Sequence, residues 1–244
     1  MTDTPPPVLT GEHALFLDFD GTLVEIAPTP EGVVVPDGLV PLLARLSTKL
    51  GGAVAIVSGR NLDDVTGFLA PLVLPGAGTH GMERRLSDGT LELPDPDVAA
   101  EAREMAEAIA TKTASLDGVR IERKPYSVGL HYRAAPHFEA QCNRILENAI
   151  RGRRNGWEIM RGKLIAEARL AGHSKAGSVG AFMTEEPFAG RVPVFIGDDV
   201  TDEAGFEAVA AHGGFGIKVG MGESAARFRL PGPEAVRHYL GALA

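Results

Sequence analysis

The sequence predicts an α/β protein, with a doubly wound, mostly parallel core sheet and an inserted α+β unit. Two observations support this fold class. Toward both ends of the chain, short apolar runs that stop at turn residues alternate with amphipathic helical segments, as in doubly wound sheets. Between them, the order changes to helix-strand-strand, repeated twice, which favours an antiparallel sheet backed by two helices. We therefore expect a Rossmann-like core over residues 1–95 and 173–244, interrupted by an α+β cap over residues 96–172.

The first core elements are visible as apolar runs and helix signals. Residues 15–17 form a continuous apolar run that suits a strand covered on both faces. Residues 37–50 have helical periodicity, and the apolar run 53–57 predicts a second strand. Asn61 suits the N-cap of the next helix. The remaining predicted core elements are a strand over 72–74, a hairpin over 82–93, a helix from Lys175, a strand over 192–196, a helix over 201–211 and a strand over 215–219.

The cap elements follow from the same periodicities. Val98, Ala102, Met105 and Ile109 form one apolar stripe along a predicted helix over residues 97–114. The predicted cap strands alternate polar and apolar positions, as expected when helices cover one face of a sheet. These strands span residues 119–123, 127–132, 157–161 and 163–169, and a second helix spans 136–150.

Composition limits the compartment and the classes of partner. The chain has 244 residues and a formal net charge of −8, which argues against a nucleic acid or an anionic membrane as partner. Cys142 is the only cysteine, so no intrachain disulfide forms, and a reducing cytoplasm fits. No apolar stretch is long enough to cross a bilayer, and the first residues lack a signal-peptide core. We expect a soluble cytoplasmic monomer.

Four polar clusters follow or adjoin core strands, at the edge where open α/β sheets bind ligands. Asp18 and Asp20 follow the first strand and, being two residues apart on an extended chain, can face one small volume. Ser58 follows the second strand, Lys175 lies at a helix start, and residues 197–202 (GDDVTD) follow a later strand. Each cluster alone also fits a solvated turn or a surface residue. All four in this order favour a catalytic site.

The acidic residues predict a magnesium site. Close carboxylates repel each other unless they share a cation or a proton, and Mg²⁺ prefers oxygen ligands. If the strands are adjacent, Asp18, Asp20 and Asp198 would surround such an ion. Ser58 and neighbouring backbone N–H groups could bind a phosphate at a helix N-terminus, and Lys175 could neutralise its charge.

These segments resemble the haloacid dehalogenase superfamily of phosphatases. The matching pieces are residues 18–22 (DFDGT), 58–60 (SGR), Lys175 and 197–202. The resemblance implies that Asp18 is a nucleophile that forms an aspartyl-phosphate, and that Asp20 is the general acid and then the general base. It also implies Mg²⁺ bound by Asp18, Asp198 and the carbonyl of Asp20, with Asp199 and Asp202 supporting the metal. The implied phosphate-binding residues are Gly21, Thr22, Ser58, Gly59 and Lys175.

The cap strands carry charged residues at even spacing, so that each pair lies on one face of its strand. Such a face is also typical of a solvated sheet, but we expect the cap's free face to close over the active site. Mixed charges there would hydrogen-bond many hydroxyls, which predicts a neutral polyhydroxylated leaving group such as a sugar. The pairs are Glu122 with Lys124, His131 with Arg133, and Lys163 with Glu167.

Core and cap together resemble the trehalose-phosphate phosphatases. The matching segments are residues 18–23, 57–60, 78–83, 122–133, 162–163 with Glu167, and 197–203. The resemblance implies hydrolysis of the small sugar phosphate trehalose 6-phosphate. One departure is Ala176, which stands between Lys175 and Gly177 where family members usually have glycine directly after the lysine. The implied substrate-binding residues are Arg60, His80, Gly81, Glu122, Lys124, Arg133, Lys163 and Glu167.

Other functions share part of this pattern. Sucrose-phosphate and mannosyl-phosphoglycerate phosphatases share the core chemistry and would differ in cap contacts. A phosphomutase shares it too, but would release no inorganic phosphate. A signalling receiver domain also combines an acidic pocket, a hydroxyl and a lysine, but is shorter and has no cap. A catalytically silent regulatory protein is disfavoured by the intact set of predicted catalytic residues.

Overall fold

A computed structural model describes residues 5–27, 29–162 and 164–243. The chain divides into two compact units. The core unit comprises Met1–Glu92 and His173–Ala244, and the cap unit comprises Leu93–Gly172. The core unit is thus built from two separate stretches of chain, with the cap unit inserted between them.

The strands are short and, in the core, mostly buried. In chain order they are β1 (His13–Leu17), β2 (Val54–Val57), β3 (Gly76–Gly78), β4 (Glu83–Arg85), β5 (Leu91–Glu92), β6 (Arg120–Lys124), β7 (Ser127–His131), β8 (Trp157–Gly162), β9 (Ile165–Leu170), β10 (Val192–Gly197), β11 (Phe215–Val219) and β12 (Phe228–Leu230).

Seven α-helices occur in the described part of the chain. None of them is long and apolar enough to cross a membrane. They are α1 (Leu39–Lys49), α2 (Leu62–Leu69), α3 (Pro96–Thr113), α4 (Glu139–Ile150), α5 (Lys175–Phe182), α6 (Glu203–Ala211) and α7 (Pro233–Leu243).

The core sheet confirms the predicted doubly wound, mostly parallel architecture. Its strand order is β12-β11-β10-β1-β2-β3-β4-β5, and all neighbours are parallel except at the β4 and β5 edge. Strand β1 is central, with Leu15 opposite Val194 of β10 on one side and Val54 of β2 on the other. The carboxyl ends of β1, β2 and β10 therefore meet at one edge of the sheet, where the predicted polar clusters begin.

Apolar side chains cover both faces of this sheet, as the continuous apolar runs require. On one face, Leu15 and Leu17 belong to the same buried cluster as Leu43 of α1. On the other face, Phe16 packs against Phe182 and Phe188, with ring centroids 6.0 and 5.5 Å away. Burial on both sides fixes β1 and hence the position of the residues that follow it.

The third strand lies further along the chain than predicted. Residues 72–74 are not a strand, and β3 consists of Gly76, Ala77 and Gly78. Gly76 has no room for a side chain, because a Cβ there would lie 2.8 Å from the carbonyl oxygen of Ile56 and 3.3 Å from Leu62. Close packing therefore selects small residues here, and small residues give no apolar pattern in the sequence.

The cap unit has an antiparallel sheet of order β6-β7-β9-β8, backed by α3 and α4. Val128 and Leu130 of β7 and Ala166 of β9 are buried together with Met105 of α3 and Leu146 of α4. Because side chains alternate along a strand, Glu122, Lys124 and Glu167 lie on the other face of the sheet.

Candidate active site

Asp18 lies directly after the central strand β1. Its backbone N–H donates to the carbonyl of Ile196 in β10, at 2.9 Å, so that it continues the sheet by one residue. Only 4% of Asp18 is exposed. Its Oδ1 accepts a hydrogen bond from Nζ of Lys175, at 2.7 Å. A buried carboxylate is thus held by a cation at the end of the sheet where ligands bind.

Lys175 is the first residue of α5 and is also buried. Its Nζ lies 2.7 Å from Asp18 and 2.6 Å from Oδ1 of Asp202. Burial by itself would lower the pKa of Lys175, but the two carboxylates outweigh it and hold the pKa above its ordinary value. The helix start is intact despite Ala176, because the Ser174 side chain caps the backbone N–H of Gly177. Lys175 is therefore a fixed, protonated ammonium.

Asp18, Asp198 and Asp202 form an acidic cluster, in which one carboxylate oxygen of each lies within 4.8 Å of the others. Burial raises the pKa of Asp18 to about 8, with the charges of Asp202 and Asp198 adding to the effect and Lys175 opposing it. Burial also raises the pKa of Asp198 to about 6, helped by the charges of Asp202 and Asp199. Three close carboxylates, of which Asp18 and Asp198 have raised pKa values, are a site that a cation would stabilise.

The donor set fits a hard divalent cation. All three side chains of the cluster offer oxygen, which Mg²⁺ prefers. Among the described residues, the Asp198 carboxylate has no hydrogen-bond or ion-pair partner. Gly21 leaves room for the Asp198 carboxylate, because a Cβ on residue 21 would overlap that carboxylate. The φ of Gly21, +76°, is also one that glycine adopts readily. The turn after β1 and the turn after β10 are therefore shaped to meet.

Asp20 faces a different partner from Asp18. Its two carboxylate oxygens accept hydrogen bonds from Nε and Nη2 of Arg60, at 2.6 and 2.9 Å. The Arg60 guanidinium also lies over the ring of Phe68, 5.2 Å from its centroid. Sequence spacing predicts that Asp18 and Asp20 face one volume, but their carboxylates are held by separate cations.

Ser58 and Gly59 lie in the turn between β2 and α2. Ser58 is buried, and its Oγ accepts a hydrogen bond from the backbone N–H of Arg60 at 3.1 Å. The imidazole of His80 covers Gly59 so closely that a Cβ there would lie 2.7 Å from the ring. Helix α2 follows, with Asn61 as its N-cap, as predicted. The turn thus places Ser58 beside a helix N-terminus.

Thr22 and Asp199 have distinct settings. Thr22 is buried, and its hydroxyl has no hydrogen-bond partner among the described residues. Asp199 is exposed, and its backbone N–H donates to Oδ2 of Asp202 at 2.9 Å. Asp202 therefore contacts both Lys175 and the turn that carries Asp198.

Lys218 contacts the acidic turn that carries Asp198, and the sequence patterns did not single it out. It is buried in β11, and its Nζ donates to the backbone carbonyl of Asp198. A lysine inside the otherwise apolar strand Phe215–Val219, next to the strand that ends at the acidic turn, is a signal that could have identified it.

The free face of the cap sheet carries a connected polar cluster. Nζ of Lys124 lies 3.2 Å from Oε1 of Glu167 and 3.8 Å from Oε2 of Glu122. His131 approaches the same Glu122 oxygen at 2.9 Å, and Ser127 donates to Glu167. Three predicted substrate-binding residues, two from β6 and one from β9, are thus brought together.

Another predicted cap residue, Arg133, lies outside the strands of the cap sheet. Arg133 is not on β7, which ends at His131, but lies in the exposed turn after it. The even spacing of His131 and Arg133 therefore does not place them on one strand face. Lys163 lies outside the described residues. His80 and Gly81, in the core, belong to a turn with left-handed backbone conformation.

Comparison with known proteins identifies the family. The family model described as Trehalose-phosphatase matches residues 16–234, which includes the whole cap. The chain belongs to the trehalose-phosphatase family.

Individual relatives are similar to this chain over most of their own length. The chain is 44% identical to a probable trehalose-phosphate phosphatase of Sinorhizobium fredii, over 95% of this chain and 87% of the relative. It is 40% identical to trehalose-6-phosphate phosphatase of Escherichia coli, over 97% of this chain and 88% of the relative. The crystal structure of a trehalose-6-phosphate phosphatase related protein matches with a TM-score of 0.77 and 28% identity, covering 94% of this chain and 96% of that one.

Proposed function

We propose that the protein hydrolyses trehalose 6-phosphate to trehalose and inorganic phosphate, with Mg²⁺ as cofactor and an aspartyl-phosphate on Asp18 as intermediate. The observation that carries this proposal is the buried Asp18 carboxylate bound at 2.7 Å to Lys175 beside Asp198 and Asp202. The named activity of relatives that align with nearly the whole chain supports the substrate.

In the first step, an oxygen of Asp18 attacks phosphorus. Because Oδ1 is bound to Lys175, Oδ2 is the atom that forms the new bond. As that bond forms, the bond from phosphorus to the sugar oxygen breaks, and the sugar oxygen keeps the electron pair. Asp20 must be protonated at this stage, with one oxygen released from Arg60 and the other still bound, and it donates this proton to the sugar oxygen, since a sugar alkoxide is a poor leaving group. Proton donation of this kind typically supplies about 10² to 10⁴-fold in rate.

In the second step, water attacks phosphorus and Asp20 accepts a proton from it. The bond between phosphorus and Asp18 then breaks, which restores the carboxylate and releases phosphate. Trehalose has already gained its proton, so atoms and charges balance over the two steps. Asp20 returns to its starting protonation state.

Fixed positive charge stabilises the phosphoryl oxygens throughout. Lys175 is buried and protonated, and Ser58 with the N–H groups of its turn provides preorganised donors. Mg²⁺, held by the carboxylates of Asp18 and Asp198 and the carbonyl of Asp20, would supply further electrostatic stabilisation of the phosphoryl group. These cations would supply positive charge at the site for an anionic substrate, although the whole chain has a net charge of −8.

The cap would recognise the sugar. Lys124, Glu122 and Glu167 provide hydrogen-bond donors and acceptors, with charges of both signs, on one sheet face. A neutral disaccharide offers many hydroxyls to such a face. We propose that Arg133 and Lys163 also contact the sugar.

A panel of substrates tests this function. Phosphate release with Mg²⁺ is measured for trehalose 6-phosphate, sucrose 6-phosphate and glucose 6-phosphate at matched concentrations. We expect kcat/KM to be highest for trehalose 6-phosphate. A clear preference for either of the other substrates would overturn the proposed specificity while leaving the core chemistry in place.

A further inference from the structure

Three successive residues between β3 and β4 adopt left-handed backbone conformations. Thr79, His80 and Gly81 have φ values of +47°, +56° and +100°. Glycine adopts such angles readily, but a β-branched threonine does so only under constraint from its surroundings. We call residues Thr79–Gly81 the clamp turn, because of the contacts that it makes.

The clamp turn contacts both ends of the turn Ser58–Arg60, which we call the phosphate-binding turn because Ser58 and Gly59 are its proposed phosphate-binding residues. The backbone N–H of Thr79 donates to the carbonyl of Arg60 at 2.7 Å, and that of His80 donates to the carbonyl of Ser58 at 3.1 Å. Between these two bonds, the His80 ring covers Gly59. The clamp turn therefore holds the Ser58–Arg60 turn by two backbone hydrogen bonds.

The same turn abuts the helix that carries Lys175. A Cβ on Gly81 would lie 2.7 Å from the carbonyl oxygen of Ser174 and 2.6 Å from Oγ of Ser178. Both serines belong to the first turn of α5, in which Ser174 is the N-cap. One short turn therefore contacts both elements that present phosphate-binding groups.

The buried carboxylate of Glu83 binds both the clamp turn and the start of α2. It is 5% exposed, and its Oε1 accepts a hydrogen bond from the Thr79 hydroxyl at 3.1 Å. Its Oε2 accepts one from the backbone N–H of Leu62, at the start of α2, at 2.7 Å. Gly78 leaves room for this contact, since a Cβ there would lie 2.8 Å from Oε2 of Glu83. A buried carboxylate therefore joins the strained turn to the helix that follows Ser58.

We propose that Glu83 is a positioning residue for phosphate binding, which acts through Thr79 on the backbone of Ser58–Arg60. This rests on the proposed phosphatase activity. Without two acceptor oxygens, the side chain at position 83 can no longer accept from both the Thr79 hydroxyl and the Leu62 N–H, so the strained turn relaxes and its N–H groups leave the Ser58 and Arg60 carbonyls. The phosphate-binding turn then loses its fixed geometry, whichever group is attached to the phosphate.

The test compares Glu83→Gln with wild type on two substrates and one inhibitor. We measure kcat/KM for trehalose 6-phosphate and for 4-nitrophenyl phosphate, and the inhibition constant of inorganic phosphate. We expect about a tenfold loss of kcat/KM, equal on both substrates, and weaker phosphate inhibition to match, as for one charged hydrogen bond. Thr79→Val should show the same pattern, whereas Thr79→Ser keeps the hydroxyl and should behave as wild type.

Leu240→Ala provides the stability control. Leu240 is buried in α7, so this variant lowers the melting temperature without touching the clamp turn. We expect its phosphate inhibition constant to stay at the wild-type value. If Glu83→Gln lowers the melting temperature but also keeps that value, Glu83 is only structural and the proposal is wrong. If Glu83→Gln does not fold, Thr79→Val decides in the same way.

The outcomes separate this proposal from the proposed function. A loss confined to trehalose 6-phosphate would place Glu83 in sugar recognition and overturn the positioning role. If wild type cleaves 4-nitrophenyl phosphate but not trehalose 6-phosphate, the proposed substrate fails while the Glu83 comparison is still decided on the aryl phosphate. If neither is cleaved, the binding of inorganic phosphate to wild type and Glu83→Gln is compared by calorimetry. Weaker binding by Glu83→Gln would support the positioning role, and equal binding would overturn it.

Discussion

Arg60 binds both oxygens of the Asp20 carboxylate, through Nε at 2.6 Å and Nη2 at 2.9 Å. The guanidinium is held in turn by its position over Phe68, whose ring stacks against Phe19 with centroids 5.7 Å apart. A bidentate pair fixes the orientation of a carboxylate more firmly than a single bond does. Arg60 therefore controls where the proposed general acid points.

Replacing Arg60 with alanine should impair proton transfer more than phosphate binding. A 4-nitrophenolate leaves without a proton, whereas a sugar alkoxide requires one. We expect Arg60→Ala to lose about tenfold more kcat/KM on trehalose 6-phosphate than on 4-nitrophenyl phosphate. Arg85→Ala is the control, since Arg85 contacts Thr66 and not Asp20.

The same loss would arise if Arg60 contacted the sugar directly. A double mutant separates the two explanations. If Arg60 acts through Asp20, Arg60→Ala adds little to Asp20→Asn, because interacting residues are not additive. Fully additive losses would instead assign Arg60 to substrate binding, the role that the family resemblance implies.

Lys175 should matter for stability as well as for activity. Lys175→Met leaves the buried carboxylates of Asp18 and Asp202 without their cation, and breaking such a pair costs about 3–5 kcal/mol. We expect a fall of that order in the free energy of unfolding, measured by urea denaturation, with part of it restored by Mg²⁺. The exposed Lys49→Met should change it little. A Lys175→Met protein as stable as wild type would show that the carboxylates do not depend on Lys175.

Mg²⁺ should stabilise the folded protein through the acidic cluster. At about 100 times its dissociation constant, a ligand specific for the folded state adds about 2.7 kcal/mol. We expect the melting temperature to rise with Mg²⁺ and to fall back on chelation with EDTA. Asp198→Asn should abolish the rise, and the exposed Asp117→Asn should retain it. An undiminished rise in Asp198→Asn would move the metal site elsewhere.

The cap cluster should determine which phosphate ester is used. Lys124→Ala removes the cation that joins Glu122 and Glu167, so we expect a larger loss on trehalose 6-phosphate than on 4-nitrophenyl phosphate. Glu147→Ala, in an exposed ion pair with Arg161 on the same unit, should change neither. Equal losses on both substrates from Lys124→Ala would indicate that the cluster is structural.

The sequence predicts elements best where local pattern and burial agree. The apolar run 53–57 becomes β2, Val54–Val57, because a strand buried on both faces needs apolar side chains at every position. Strand β3 escapes prediction because Gly76 and Gly78 are selected by close contacts with residues distant in sequence. An apolar pattern at 72–74 is therefore misleading.

The site residues differ in the same way, because the sequence predicts some of their contacts and not others. Asp18, Lys175 and Asp198 meet because they follow or adjoin neighbouring elements of a predictable sheet. The pairing of Asp20 with Arg60 depends on the path of two turns, and a spacing of two residues does not reveal it. Glu83 acts through a left-handed turn, for which the sequence Thr79-His80 gives no local signal.

The most direct test of the central claim is the amount of trehalose and phosphate that wild type and Asp18→Asn release from trehalose 6-phosphate with Mg²⁺. The amide should not attack phosphorus, and it keeps the size of the carboxylate. We predict equal amounts of the two products from wild type and none above background from Asp18→Asn. Near-normal release by Asp18→Asn would contradict the assignment of Asp18 as nucleophile and with it the mechanism proposed for this site.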